Sequence, residues 1–212
     1  MSTMPPTAEF VINTTSEPMA TYANAGQAPA ITVNGAPFAQ LPAPGFPSGF
    51  QLLIMNAAGD LTSPDSIWFI EYIRCQDAGG SWSPMYAYMY AQIVGAVLTS
   101  QNIEQQLIIL ASFGLDVNMT PDNDALGLLL PRGAGPQLQE WASVPDPGSQ
   151  GSGWVAEPAS YILLGGPAYG YADAWETFVN TVPATATLSV TLQNNVPPTP
   201  PPRPQAEPAV AD

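Results

Sequence analysis

The chain has 212 residues, 46% of them apolar, so a sizeable core is affordable, but only 9% are charged against about 25% in an ordinary domain, and the formal net charge is −14. It contains no histidine and no lysine, and its side-chain cations are Arg74, Arg132 and Arg203. That excludes Ser-His-Asp and Cys-His nucleophiles, imidazole zinc sites, a P-loop lysine and pyridoxal Schiff bases, and it disfavours nucleic acid, whose phosphates are held by Lys and Arg.

Cys75 is the single cysteine, so no intramolecular disulfide forms, and it reads as an apolar filler at a strand end. Met1 to Phe10 lacks both a basic segment and an apolar one, which predicts no signal peptide. No apolar run approaches the roughly 20 residues needed to cross a bilayer, so no membrane partner is expected.

Residues 1–45 read as an extended N-terminal arm, rich in proline and small residues and too poor in apolar mass to fold alone. It carries two β-like runs, Glu9 to Asn13 and Ala30 to Val33, the second ending in the turn pair Asn34-Gly35. Residues 46–193 read as one α+β domain. Phe50 to Met55 is a buried strand entering a turn at Asn56-Ala57-Ala58-Gly59-Asp60, and Ile67 to Arg74 is a half-buried strand paired with it or near it. Ser83-Pro84 has the form of a helix cap, followed by Met85, Tyr86, Met89, Tyr90, Ile93, Val94, Val97 and Leu98 at helical spacing to about Ser100.

Leu107 to Ser112 is the strongest buried strand. Thr120-Pro121 repeats the cap signature, with Asp122 and Asp124 in the first turn where a helix dipole favours carboxylates; the helix runs to about Leu130 and is stopped by Pro131 and Gly133. Gln137 to Ser143 reads as a further strand, and Val144 to Pro158 as a surface loop. Tyr161 to Leu164 is a buried strand running into Gly165-Gly166-Pro167, and Thr185 to Leu192 alternates as a strand with one wet face. Residues 194–212 are a Pro-rich C-terminal tail without core-forming residues.

Candidate chemistry is sparse. Asp116, Asn118, Asp122 and Asp124 suggest a calcium loop, but counting from Asp116 the sixth position is Pro121 and the twelfth Gly127, where Gly and Glu are needed. Helix capping accounts for these acids, and no metal or cofactor is expected. Glu140 with Asp146, or Asp173 with Glu176, are the candidate pairs for a carboxylate hydrolase, which requires separations of about 5 to 9.5 Å. The sequons at Asn13 and Asn118 matter only in a secreted chain. Trp82, Trp141, Trp154, Tyr169 and Trp175 lie in or near expected loops; on a surface of hydroxyls and amides, flat rings suit a glycan or a protein interface, and equally suit anchoring of the loops themselves.

The order of motifs resembles the interleukin-like/PANDER domain, also called the GG domain. The strand entering an N-x-x-G-[DE] turn is matched by Ile54-Met55-Asn56-Ala57-Ala58-Gly59-Asp60, and a helix leading to an apolar strand by Ala91 to Leu98 and Leu107 to Ser112. An Asp-containing loop with a short helix is matched by Asp116 to Leu130, and the aromatic-led strand ending in two glycines by Tyr161-Ile162-Leu163-Leu164-Gly165-Gly166. The bridging cysteines of the secreted animal members are missing, Val144 to Ala159 is an insertion, and extra strands flank the region. The resemblance implies compact β-sandwich-like sheets with two short helices packed against them, and no catalytic constellation. Similar domains occur in the hinge connector of phage long tail fibres. The expectation is therefore a non-enzymatic virion protein of a phage tail, fibre or capsid decoration, whose terminal arms pair with other virion proteins or copies of itself. A carbohydrate-binding module, secreted or at a cell surface, and a carboxylate-pair hydrolase are the alternatives.

Overall fold

The computed structural model describes residues 7–16, 29–38, 48–56, 61–71, 74–76, 82–84, 106–117, 120–121, 123–144, 158–167, 169 and 172–193. They form two antiparallel sheets, a separate hairpin and two short helices, a β-sandwich-like architecture.

The smaller sheet begins with β1 (Thr7–Ser16), in which Ala8, Phe10, Ile12, Thr14 and Ser16 are buried while the residues between them face outward. A period of two places one side chain in every pair on the core face. The first strand after it, β2 (Ala30–Val33), turns at Asn34-Gly35 into β3 (Ala36–Pro37). Both turn residues have positive φ, 50° and 75°, as a two-residue hairpin requires. The sheet is closed on its other side by the last strand, β12 (Ala184–Gln193), which runs in unbroken register with β1 from Thr7 opposite Gln193 to Ser16 opposite Ala184. The strand order is β12-β1-β2-β3.

The larger sheet contains β4 (Gly49–Asn56), β5 (Ser66–Glu71), β8 (Gln106–Phe113), β9 (Leu115–Asp116), β10 (Pro158–Gly165) and β11 (Trp175–Val179). Its order is β11-β10-β8-β4-β5, with β9 pairing β10. Every residue of β8 and β10 is buried, and all of β4 up to Met55. Such strands need covering on both faces, which explains why they read as continuous apolar runs instead of alternating ones. Between the pairs Ile162–Ala111 and Ala159–Leu115, two residues of β10 oppose three of the other strand, Ser112, Phe113 and Gly114. This is a β-bulge, with Gly114 at φ 59° supplying the left-handed step. The remaining hairpin pairs β6 (Arg74–Gln76) with β7 (Trp82–Pro84).

The sheets meet at a polar corner. Thr14 donates from Oγ1 to the Ser112 carbonyl, the Ser160 hydroxyl donates to Ala184 O at 2.8 Å and lies 3.2 Å from Ser16 Oγ, and Leu115 N donates to Ser16 Oγ at 3.3 Å. All four hydroxyl-bearing residues, Thr14, Ser16, Ser112 and Ser160, are buried, so these bonds offset their desolvation. The opposite face of the larger sheet carries α1 (Asn123–Leu129), a 3-10 turn (Leu130–Arg132) and α2 (Pro136–Ala142).

Several expectations need correction. Gln137 to Ser143 is helical, because Pro136 occupies the first helical turn and the apolar pair Leu138 and Trp141 is spaced three apart, which turns both into the core of a helix but would split them across a strand. Ser83 and Pro84 lie in β7, where an edge strand tolerates proline, and the helix expected after them, to about Ser100, lies outside the described residues. The boundary placed at residue 46 does not divide the sheets, because β1 sits between β12 and β2. A short helix is found where expected, but it begins at Asn123, after Thr120-Pro121, and Pro131 continues it into a 3-10 turn that Gly133 caps at φ 98°. The second strand is shorter than expected, stopping at Glu71, and it pairs β4 directly.

Backbone docks on backbone where the helical segment meets the end of β10. Gly166 N donates to Arg132 O at 2.9 Å, and Ala174 N to Gly133 O at 3.1 Å. A Cβ on Gly165 would lie 2.3 Å from Arg132 O, and one on Gly166 would lie 2.2 Å from Gln106 O. Neither carbonyl can swing away like a side chain, and Gly165 is the position that faces the helical segment, so Gly165→Ala is expected to cost at least about 2 kcal/mol in urea unfolding. Gly127→Ala in α1, where a Cβ meets nothing within 4 Å, is expected to stabilise by about 0.5–1 kcal/mol. Equal effects from the two substitutions would contradict this docking.

Candidate functional site

A second polar arrangement lies between α2 and β10–β11. Trp141 is 1% exposed and stacks on Phe178 at a centroid distance of 5.6 Å, with Tyr161 at 5.7 Å and Phe50 at 6.1 Å. Its indole N–H donates to Val117 O at 3.0 Å. Beside this aromatic cluster, Glu176 accepts from the Tyr161 hydroxyl at 2.9 Å and from Gln137 N at 3.0 Å. Gln137 N belongs to the first turn of α2, whose N-cap Gly135 has no side chain, so a carboxylate from a neighbouring strand performs the capping. The Gln137 side chain returns the contact by accepting from Phe178 N.

Both oxygens of Glu176 are thus committed to holding α2 on the sheet. Burial, with Glu176 adding its charge and hydrogen bond, pushes the Tyr161 phenol well above the ordinary tyrosine value. A fixed carboxylate, a neutral phenol and a helix amide make a clamp.

The remaining sequence candidates are dispersed. Glu140 is exposed on α2, Asp173 is half-buried just before β11, and Asp146 lies outside the described residues. Of the aromatics, Trp141 is core and not a loop ring; it packs there because the helix spacing turns it inward. Tyr169 is 6% exposed and meets half-buried Trp175 edge to face at 5.8 Å. Its hydroxyl has no hydrogen-bond partner among the described residues, and burial pushes its phenol above the ordinary value. Trp82 lies in β7, and Trp154 outside the described residues. Asn56 ends β4 opposite Gln106, Gly165 ends β10 and Gly166 follows it, while Gly59 and Asp60 lie outside the described residues.

A second feature escaped motif reading because its residues are individually unremarkable. The outward face of β1 and β12 presents Thr7, Glu9, Val11, Asn13 and Thr15 opposite Gln193, Thr191, Ser189, Thr187 and Thr185. Thr187 Oγ1 donates to Asn13 Oδ1 at 2.8 Å, and Thr15 and Thr185 hydroxyls are 3.3 Å apart. Asn34 extends this surface by accepting from Glu9 N at 2.9 Å through its side chain, while its own N donates to Glu9 O at 2.8 Å. Glu9 is the single ionisable side chain among those ten residues.

No protein-family model matches the chain. No curated protein matches its sequence. Among the described residues, no helix is long and apolar enough to cross a membrane.

The phenol clamp gives a pH dependence of definite sign. The folded state raises the Tyr161 pKa above its ordinary 10.0, so the stabilisation is complete below about pH 10 and is lost as pH rises through the folded value. Tyr161→Phe should cost about 1–3 kcal/mol at neutral pH and should flatten the alkaline loss of stability. Urea unfolding of both proteins at pH 7 and pH 11 reads this; an identical alkaline loss in the variant would show that Tyr161 is not responsible.

Proposed function

We propose that this chain is a non-catalytic structural protein of a virion, a component of a phage tail, fibre or capsid decoration, acting by packing against neighbouring subunits. The observation that carries the reading is the outward face of β1 and β12, an array of hydroxyls and amides with one aliphatic side chain, Val11, and one carboxylate, Glu9. Interface cores are depleted in charge, because desolvating ions is costly, whereas hydroxyls and amides find partners in a facing chain. A net charge of −14 keeps free subunits apart, while this face offers a place where they can meet without stacking like charges.

The motif order shared with the interleukin-like domain of tail-fibre hinge connectors supports the same reading. The position of β1 between β12 and β2 modifies it: residues 7–16 and 29–38 contribute to the sandwich, and the assembly arm is the Pro-rich segment 194–212. The glycan alternative loses two of its rings, since Trp141 and Tyr169 are buried. The hydrolase alternative loses Glu176, whose oxygens cap α2 and bind Tyr161.

Mass spectrometry of purified particles should recover the chain at a fixed copy number, with amides of β1 and β12 exchanging more slowly in the particle than in the free protein. A chain found in infected cells and consistently absent from purified particles would overturn the proposal.

A further inference from the structure

The outer edge of β12 is the exception among the strand edges of the described residues. Edge strands invite pairing with another chain, and proteins blunt them with charge, proline, shortness or bulges. At the other edge of the same sheet, β3 has two residues and ends in Pro37. The edge strands of the larger sheet carry acids, Glu71 in β5 and Glu176 in β11. The sequence of β12, ATATLSVTLQ, has ten residues with no charge and no proline, and its register with β1 contains no bulge. Among the described residues, no strand pairs its far side.

We infer that β12 is a self-pairing edge, joining antiparallel to the β12 of a second copy of this chain and continuing the small sheet across a twofold axis at Leu188. This deepens the assembly reading above by naming the partner and the surface. A twofold interface must be self-complementary, and this strand is. With Leu188 opposite its own copy, Thr187 faces Ser189 and Thr185 faces Thr191 on the outward side. On the core side Ala186 faces Val190 and Ala184 faces Leu192, a small residue against a larger one at each step. The inward positions Ala184, Ala186, Val190 and Leu192 are already buried, while Leu188, at the centre, is left half-buried. Pairing there would complete its burial.

Charge and chain chemistry favour a second copy over the chain's own tail. The strand adds no like charges at the seam although each chain carries −14. Residues 194–212 contain prolines at 197, 198, 200, 201, 202, 204 and 208, which lack the N–H that a ladder needs.

The test is sedimentation of the full-length chain from micromolar to millimolar concentration. The wild-type protein should form a dimer. Thr187→Lys with Ser189→Lys places four cations across the seam on side chains that point outward, so the fold should persist by circular dichroism while the dimer is lost. Thr187→Lys with Ser189→Glu places each cation against the partner's anion, and dimerisation should return. A monomeric wild-type chain, a Lys/Lys variant that dimerises as well as wild type, or no recovery in the Lys/Glu variant would overturn the inference. A wild-type monomer that still incorporates into purified particles would overturn the pairing alone, whereas a dimer never found in particles would overturn the virion reading and leave the pairing standing.

Discussion

The pairing of β1 with β12 is the constraint on which the rest of the structure depends. It joins Thr7–Ser16 to Ala184–Gln193 through ten consecutive register pairs, so the first and last described strands form the middle and edge of one sheet. At its Ser16–Ala184 end, this pair supplies the hydroxyls and carbonyl that receive Ser160 and Leu115 from the larger sheet. Along its length it supplies Phe10, Ile12, Ala186, Val190 and Leu192 to the core. Because the partners are so far apart in sequence, their closure carries a large loop entropy and waits until β12 has been synthesised. The larger sheet, by contrast, brings β4 to β5 and β10 to β11 over short connections.

The second structural decision is made by glycine and by one carboxylate. The helical segment reaches the end of β10 through backbone contacts that leave no room for a Cβ at Gly165, while the close approach of Gln106 in β8 leaves none at Gly166. Glu176 then fixes α2 from the neighbouring strand, and Trp141 fills the space between that helix and Phe50, Tyr161 and Phe178. The proposed assembly rests on the hydroxyl face and on the outer edge of β12, which no strand among the described residues pairs.

Much of the larger sheet was legible because burial on both faces leaves a simple mark: Phe50 to Met55, Leu107 to Ser112 and Tyr161 to Leu164 are apolar runs, interrupted only at Gln51 and closed by Ser112, and each lies in a strand. The wet face of Thr185 to Leu192 was equally legible from its alternation. The α2 segment was not, because one apolar pair, Leu138 and Trp141, is too short a pattern to establish a period in seven residues, although its spacing of three fits a helix and not a strand. Position within a sheet was also hidden. Glu9 to Asn13 reads as a strand, but its central place depends on a partner beginning at Ala184, and no local pattern encodes that distance. The capping role of Glu176 is similarly non-local, since the amide it serves is Gln137 N.

Amide hydrogen exchange on the isolated full-length chain tests most directly whether β1 is part of the fold. If β1 is held between β12 and β2, amides within Thr7–Ser16 should exchange as slowly as those of Ala184–Gln193 and far more slowly than those of residues 194–212. Rapid exchange throughout Thr7–Ser16, with the larger sheet still protected, would mean that the N-terminal strand is a free arm and would contradict the account.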